Sequence, residues 1–448
     1  MKSTREISAD ILFEILEEGA YANLLLNKAL GGIKERRDRS FVTNLVYGTI
    51  HRITPIDYQI RQFIQKPIKK KDAMLQILLR AAFYEILYSA AKPHAVVNEY
   101  VNLGKKKGNP GWGKMLNGVL RNLLRYKETL TWPIFNNDAE KEGFYHSVPE
   151  WLTSLWEKEY GPENAVHIIQ NMDEERFPVI RVNTLKTDRD TLQSKLQELG
   201  INTELGLLSD DALRTAKGSD LHYVPAELQE LFTVQEESSQ LVAKVLAPKE
   251  NSKVLDICAA PGGKTTHIAQ LMNNSGVIFA SDLYEHKVKL IRDNAKRLGI
   301  TNISAIQKDG SNWGKECPEE FDYVLLDAPC SGFGVLSRRS DSRLRKSADD
   351  TLELSSLQKE LMKSAYQVLK PGGVMVYSTC TLSYAENLGN VKWFLEHYPD
   401  MKSSSFADQF AHLTEREKEE AKQGYLELLP FEHNTDGFFI ARFVKDVK

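Results

Sequence analysis

Apolar side chains recur at helical spacing through residues 6–126. Ile7, Ile11, Phe13, Ile15 and Leu16 begin an amphipathic pattern. Phe41, Leu45, Val46 and Ile50 continue it, followed by Leu75, Leu78, Leu79, Phe83 and Ile86. Gly31-Gly32, Pro55, Pro67 and Pro93 punctuate the runs, so the pattern predicts a small helical bundle. Residues 127–147 lack a period and read as a linker. Beyond Pro149, helical stretches at 151–160 and 164–172 precede a strand at 178–184 and a helix at 190–199 stopped by Gly200. Strand candidates at 203–205 and 231–234 complete a small α+β module. From residue 236 the period alternates. Strands are expected at 253–257, 276–282, 303–309, 323–328, 373–380 and 437–444, with helices at 265–272, 286–298, 352–368 and 385–397. Such alternation implies a doubly wound, mostly parallel α/β sheet. The expected organisation is therefore a helical domain over 1–130, a linker over 131–149, an α+β module over 150–235 and an α/β domain over 236–448.

Length and composition narrow the class. A chain of 448 residues exceeds one core, and 42% hydrophobic with 27% charged residues is ordinary for a globular protein. No run approaches the length of a transmembrane helix, and the first residues, MKSTREISADILFEILEEG, carry acids where a signal peptide needs an apolar block. The four cysteines (258, 317, 330 and 380) form no CxxC pair, which argues against a disulfide framework or a zinc site and for a reducing, cytoplasmic setting. The net charge of −3 conceals an asymmetry: residues 1–130 hold 22 Lys and Arg against 12 Asp and Glu, a balance of +10, leaving −13 for the rest. A basic module joined to an acidic body suggests that the first part holds a polyanion.

Chemistry concentrates in the α/β region. Gly262-Gly263-Lys264-Thr265 invites a P-loop reading, which fails because the required earlier glycine position is Cys258. What remains is a strand ending in Asp256, a Pro261-Gly262-Gly263 turn and a helix starting near Lys264. Glycines admit close backbone approach, and a helix start presents unpaired N–H groups. Asp282 ends the second strand, where a carboxylate accepts from ribose hydroxyls, and Asp309 ends the third, near the place for an adenine amine. Loop and acids in this order suit S-adenosylmethionine. Cys330 and Cys380 each sit just past an apolar strand among small residues, whereas Cys258 and Cys317 read as inert as thiols. A thiol of ordinary pKa is only ~3% thiolate at pH 7, so a cationic neighbour such as Lys264 or a sulfonium would activate it.

CAAPGGKT (258–265), DAPCSG (327–332) and STC (378–380) resemble the signatures of RNA cytosine-5 methyltransferases. The similarity spans about residues 150–448 and includes FTVQEESSQ (232–240) and DGFFIAR (436–442). One departure is Glu236, where relatives often have Asp. Asn98–Gly104 and Lys114–Asn122 resemble the NusB-type helical RNA-binding domain. The fusion is similar to a family of bacterial small-subunit rRNA methyltransferases. That resemblance implies an RRM-like α+β module, a Rossmann-like class I methyltransferase domain, and a cytosine of 16S rRNA as target. S-Adenosylmethionine would be held by Cys258, Ala259, Ala260, Pro261, Gly262, Gly263, Lys264, Asp282, Asp309 and Asp327. The resemblance assigns the nucleophile to Cys380 and product release to Cys330, with Asp327 at the pyrimidine N3, Pro329 directing its carbonyl to the exocyclic amine, and Lys264 beside ring or donor. Residue spacing leaves open which thiol attacks, since DNA cytosine-5 methyltransferases use a Pro-Cys nucleophile, the place of Cys330. Arg181, Arg338, Arg339 and Arg343 are candidates for RNA phosphates. The expected partner is 16S rRNA or an assembly intermediate, with a monomeric enzyme, no metal and no membrane. A methyltransferase acting on tRNA, on DNA cytosine or on an amino group, and an inactive assembly factor, are the competing readings.

Overall fold

The computed structural model describes residues 2–447 except 175, 217, 218, 220, 222 and 223. The chain divides into two compact units, Met1–Glu174 with Leu336–Lys346, and Glu175–Val335 with Ser347–Lys448. Among the described residues no helix is long and apolar enough to cross a membrane.

The first unit is helical throughout. The amphipathic runs form helices Thr4–Glu17, Arg36–His51 and Ala73–Tyr88, whose apolar faces meet in a core that includes Leu12, Val46, Leu79, Phe83, Leu116 and Leu120. Ser3 caps the first helix by accepting from the Glu6 amide at 3.2 Å. Asn109 caps helix Pro110–Tyr126, with Pro110 in its first turn, where a missing N–H costs nothing. The stretch expected to be an aperiodic linker contains helix Asp138–Tyr145, capped by Asn137. That helix is too short to display a period. Helices Glu150–Tyr160 and Pro162–Asn171 follow in the same unit.

In the second unit a small antiparallel sheet comes first. Its strands are β1 (Val179–Val182), β2 (Thr203–Leu205), β3 (Ala212–Thr215) and β4 (Phe232–Val234), in the order β2-β3-β1-β4. The sequence pattern gave no sign of β3, a four-residue strand. An eight-stranded sheet follows, comprising β5 (Lys253–Asp256), β6 (Val277–Asp282), β7 (Ile303–Gln307), β8 (Phe321–Asp327), β9 (Leu369–Thr379), β10 (Met401–Ser403), β11 (Tyr425–Leu428) and β12 (Phe438–Lys445). Its order is β10-β12-β9-β8-β5-β6-β7, with β11 paired to β12. Strands β5 to β9 are mutually parallel and β12 runs antiparallel to β9. The expected helical, α+β and doubly wound regions are thus all present.

The chain winds outward from β5 through β6 to β7, then restarts on the other side with β8 and β9. The order reverses between β5 and β8. Ligand crevices form outside the carboxyl ends of strands at such a switch point. Asp256 ends β5 and Asp327 ends β8, so the cofactor-type loop and the Asp-Ala-Pro-Cys loop leave the sheet side by side.

Candidate active site

Register brings the two thiols together. On the parallel pair β8 and β9, Asp327 is level with Ser378. Three residues beyond the first and two beyond the second, the Cys330 and Cys380 sulfurs lie 3.4 Å apart. The chain past β9 is held in place: the Asn387 side-chain amide donates to the Thr381 carbonyl at 2.9 Å, and the Gly334 amide donates to the Cys380 carbonyl at 3.0 Å. Gly334 passes so close to Gly437 that an added Cβ would sit 2.0 Å from its carbonyl oxygen, so only glycine fits there. Both cysteines are half-buried. The hydrogen bond to Cys380, and then burial, push the Cys330 thiol well above its usual range. Either sulfur of the pair can donate to the other.

A charged pair borders the thiols. Lys264 donates to Asp327 at 2.7 Å, and the Ser378 hydroxyl donates to the other carboxylate oxygen at 2.8 Å. The ammonium also lies 5.2 Å from the centre of the Phe438 ring, a cation–π contact. Asp327 is thereby oriented from two sides with its edge still partly open. Pro329 is exposed, and its carbonyl accepts from Gln358 at 2.9 Å.

The loop between β5 and helix Gly263–Leu271 forms the second wall. Ala260-Pro261 is a cis peptide and Gly262 has φ +98°, a left-handed conformation that favours glycine. The Ala259 amide donates to the Ser281 carbonyl at 2.8 Å, tying the loop to β6. Asp256 is fully buried and accepts from Thr265 at 2.7 Å on one oxygen, while its other oxygen has no partner. Burial raises its pKa from 3.8 to about 7. Burial likewise pushes the Cys258 thiol up, so it is no nucleophile. Asp282 ends β6 and accepts from the Tyr284 amide at 3.2 Å. Asp309 lies beyond the end of β7, exposed, and caps the turn at Ser311 with a 2.9 Å bond. A buried acid with an unfilled acceptor, a glycine turn and a helix start together fit a polar adenosyl-type ligand.

Sequence reasoning missed the groups beneath this surface. Arg181 was expected to meet RNA. Instead it is fully buried and donates to the Gly263 carbonyl at 2.7 Å, to Thr266 at 3.0 Å, to Gln270 at 2.9 Å and to Gln235. Burial lowers its pKa to about 9. Arg343 is buried as well, donating to the His146 carbonyl at 2.6 Å and to Asp173 at 3.3 Å. Neither side chain is available to a phosphate. Arg339 is exposed and Arg338 half-buried. Glu386 and Gln358 lie outside the motifs and are assembled only by the fold, whereas Ser378 and Phe438 fall within the STC and DGFFIAR segments without an assigned role there.

The chain is similar to known proteins along almost its entire length. The family described as 16S rRNA methyltransferase RsmB/F matches residues 243–444. The NusB family matches residues 2–125, and the RsmF/B-like ferredoxin-like domain matches residues 148–222. The probable ribosomal RNA small subunit methyltransferase B of Bacillus subtilis is 36% identical, with 99% of each chain covered. Ribosomal RNA small subunit methyltransferase B of Shewanella oneidensis is 31% identical over 98% of this chain and 99% of its own. Among solved structures, that of PH0851 superposes with a TM-score of 0.83 at 27% identity, covering 99% of both chains. NSun6 from Pyrococcus horikoshii, crystallised with SFG, gives a TM-score of 0.60 at 26% identity over 67% of this chain and 99% of its own. Similar to such relatives along almost its entire length, the chain belongs to the 16S rRNA methyltransferase RsmB/F family.

Proposed function

We propose that this protein transfers a methyl group from S-adenosylmethionine to carbon 5 of a cytosine in 16S rRNA, through a covalent bond between Cys380 and carbon 6. The observation that carries this reading is the pair of sulfurs 3.4 Å apart beside the Lys264–Asp327 ion pair. The names of the full-length relatives support the RNA, and the SFG bound to the NSun6 relative, an S-adenosylmethionine analogue, supports the donor.

When bound, the donor supplies an electrophilic methyl on sulfur. Cytosine carbon 5 is too weak a nucleophile to take it unaided. The family resemblance assigns the attacking sulfur to Cys380, with Cys330 3.4 Å away. The Cys380 thiolate adds to carbon 6, the carbon 5–carbon 6 π electrons shift to carbon 5, and that carbon takes the methyl as its bond to the donor sulfur breaks. The Lys264 ammonium, held by Asp327 at 2.7 Å, faces the ring and stabilises the negative charge that develops toward N3. The Pro329 carbonyl accepts from the exocyclic amine. Cys330 then assists removal of the carbon 5 proton, which passes to water. The freed electron pair rebuilds the double bond and expels the Cys380 thiolate, which restores the starting pair. The loop Cys258, Ala259, Ala260, Pro261, Gly262 and Gly263, with Asp282 and Asp309, would hold the donor, and one oxygen of Asp256 behind the loop has no partner of its own. The basic helical unit would bind the RNA through phosphates.

Transfer of labelled methyl to 16S rRNA, followed by nucleoside analysis, tests the proposal. The expected product is 5-methylcytidine alone. Label in N4-methylcytidine, in another base, or only in tRNA would refute it.

A further inference from the structure

We infer that Glu386 is a positioning residue for product release, fixing the separation of the two thiols and the aim of the Pro329 carbonyl through Ser331, Thr381 and Gln358. The inference rests on the release role proposed for Cys330.

Glu386 lies fully buried beneath the two cysteine loops. One of its oxygens accepts from the Ser331 amide at 2.9 Å and from the Gln358 side-chain amide at 2.9 Å. The other accepts from the Ser331 hydroxyl, which in turn lies 2.6 Å from the Thr381 hydroxyl. Ser331 follows Cys330 and Thr381 follows Cys380. A single carboxylate thus ties together the residues next to both sulfurs. The same Gln358 amide donates to the Pro329 carbonyl at 2.9 Å, on the other side of Cys330. Cys330 is therefore clamped from both sides by groups that converge on one side chain.

The clamp itself is rigid. The Tyr377 hydroxyl donates to the Glu386 carbonyl at 2.6 Å and lies 3.1 Å from Gln358 Oε1. The Asn390 amide donates to the same Gln358 oxygen at 2.7 Å. With its oxygen held by Asn390, Gln358 turns its N–H groups toward Pro329 and Glu386. All donors around Glu386 face an acceptor-only group, and burial makes an unmet donor costly. A carboxylate so deep, reached by both thiol loops, suits a role in setting geometry. Release is the step that needs that geometry most, because Cys330 must reach the carbon 5 proton while Cys380 is still bonded to carbon 6.

The test uses the full-length protein, 16S rRNA and S-adenosylmethionine, and reads the fraction of protein in a detergent-resistant RNA adduct beside the rate of multiple turnover. Glu386→Ala and Gln358→Glu are expected to raise the adduct fraction at least about ten-fold, the scale of one lost charge-assisted hydrogen bond. First-turnover methyl transfer should fall less than the multiple-turnover rate. Glu386→Gln should return the adduct to near the native level, since its amide oxygen can accept in place of the carboxylate and its N–H can donate to the Ser331 hydroxyl. Glu386→Ala added to Cys330→Ala should give no more adduct than Cys330→Ala alone. A native adduct level in variants that still bind donor, or a Glu386→Gln protein as impaired as Glu386→Ala, would overturn the inference. Should Glu386→Ala not fold, Gln358→Glu decides, because it keeps side-chain volume and sets an acceptor against Pro329 and Glu386. If Cys330→Ala itself trapped no RNA, the release role would be refuted and the inference with it.

Discussion

Arg181, on β1 of the small sheet, donates to the carbonyl of Gly263, the first residue of the helix that follows the cofactor-type loop, across 2.7 Å. The same guanidinium reaches Thr266 and Gln270 on that helix, so the α+β module braces the donor wall from behind. Arg181→Lys keeps the charge but loses the planar fork. We expect it to weaken donor binding about ten-fold, from the loss of one or more charged hydrogen bonds. Titration calorimetry checks this. The salt dependence of RNA binding should not change, because the side chain is buried and meets no phosphate.

Asp256 makes stability depend on pH. Its carboxyl is raised from 3.8 to about 7 by burial in the folded protein, so the unfolded chain ionises first. The contribution is fully present below 3.8, declines as pH rises toward about 7 and is then constant. Asp256→Asn removes this titration. The stability of the donor-free native protein relative to that variant should therefore fall between about pH 5 and about pH 8. Denaturant unfolding at the two pH values measures it, and a constant difference would contradict the assignment.

The basic clusters of the helical unit are not equivalent. Lys106 and Lys107 are engaged with Glu6 and Asp10 at 2.6 Å each, whereas Lys69, Lys70 and Lys71 are exposed around a short 3₁₀ turn. Replacing Lys69, Lys70 and Lys71 by Ala should lower the slope of log affinity for RNA against log salt by about 2, the release of two to three counterions. Replacing Lys106 and Lys107 should change it less. Filter binding across a salt series separates the two outcomes.

Much of the site could be foreseen because its parts are local. The loop at 258–265 and the strand-end thiols each lie within a few consecutive residues, and period 2 or 3.6 marks the elements that carry them. What could not be foreseen depends on pairing. The level placement of Asp327 and Ser378 is a property of sheet register, which side-chain alternation does not specify between two fully buried parallel strands. Arg181 looked like a phosphate ligand because a lone arginine among apolar strand residues is usually turned to solvent. Its burial follows from four acceptors that come from residues 235–270. Strands β3, β10 and β11 span three or four residues, too few for a period to emerge. Helix Ala348–Val368 begins four residues before the apolar pattern suggests, at a capping box of Ser347 and Asp350.

The central claim is the division of labour between two sulfurs 3.4 Å apart. Its most direct measurement is covalent trapping by 16S rRNA that carries 5-fluorocytosine, in the presence of S-adenosylmethionine. The native protein should form a detergent-stable complex, and Cys380→Ala should form none. With ordinary RNA, Cys330→Ala should accumulate an adduct that the native protein resolves. An adduct retained in Cys380→Ala and abolished in Cys330→Ala would exchange the two roles and contradict the account.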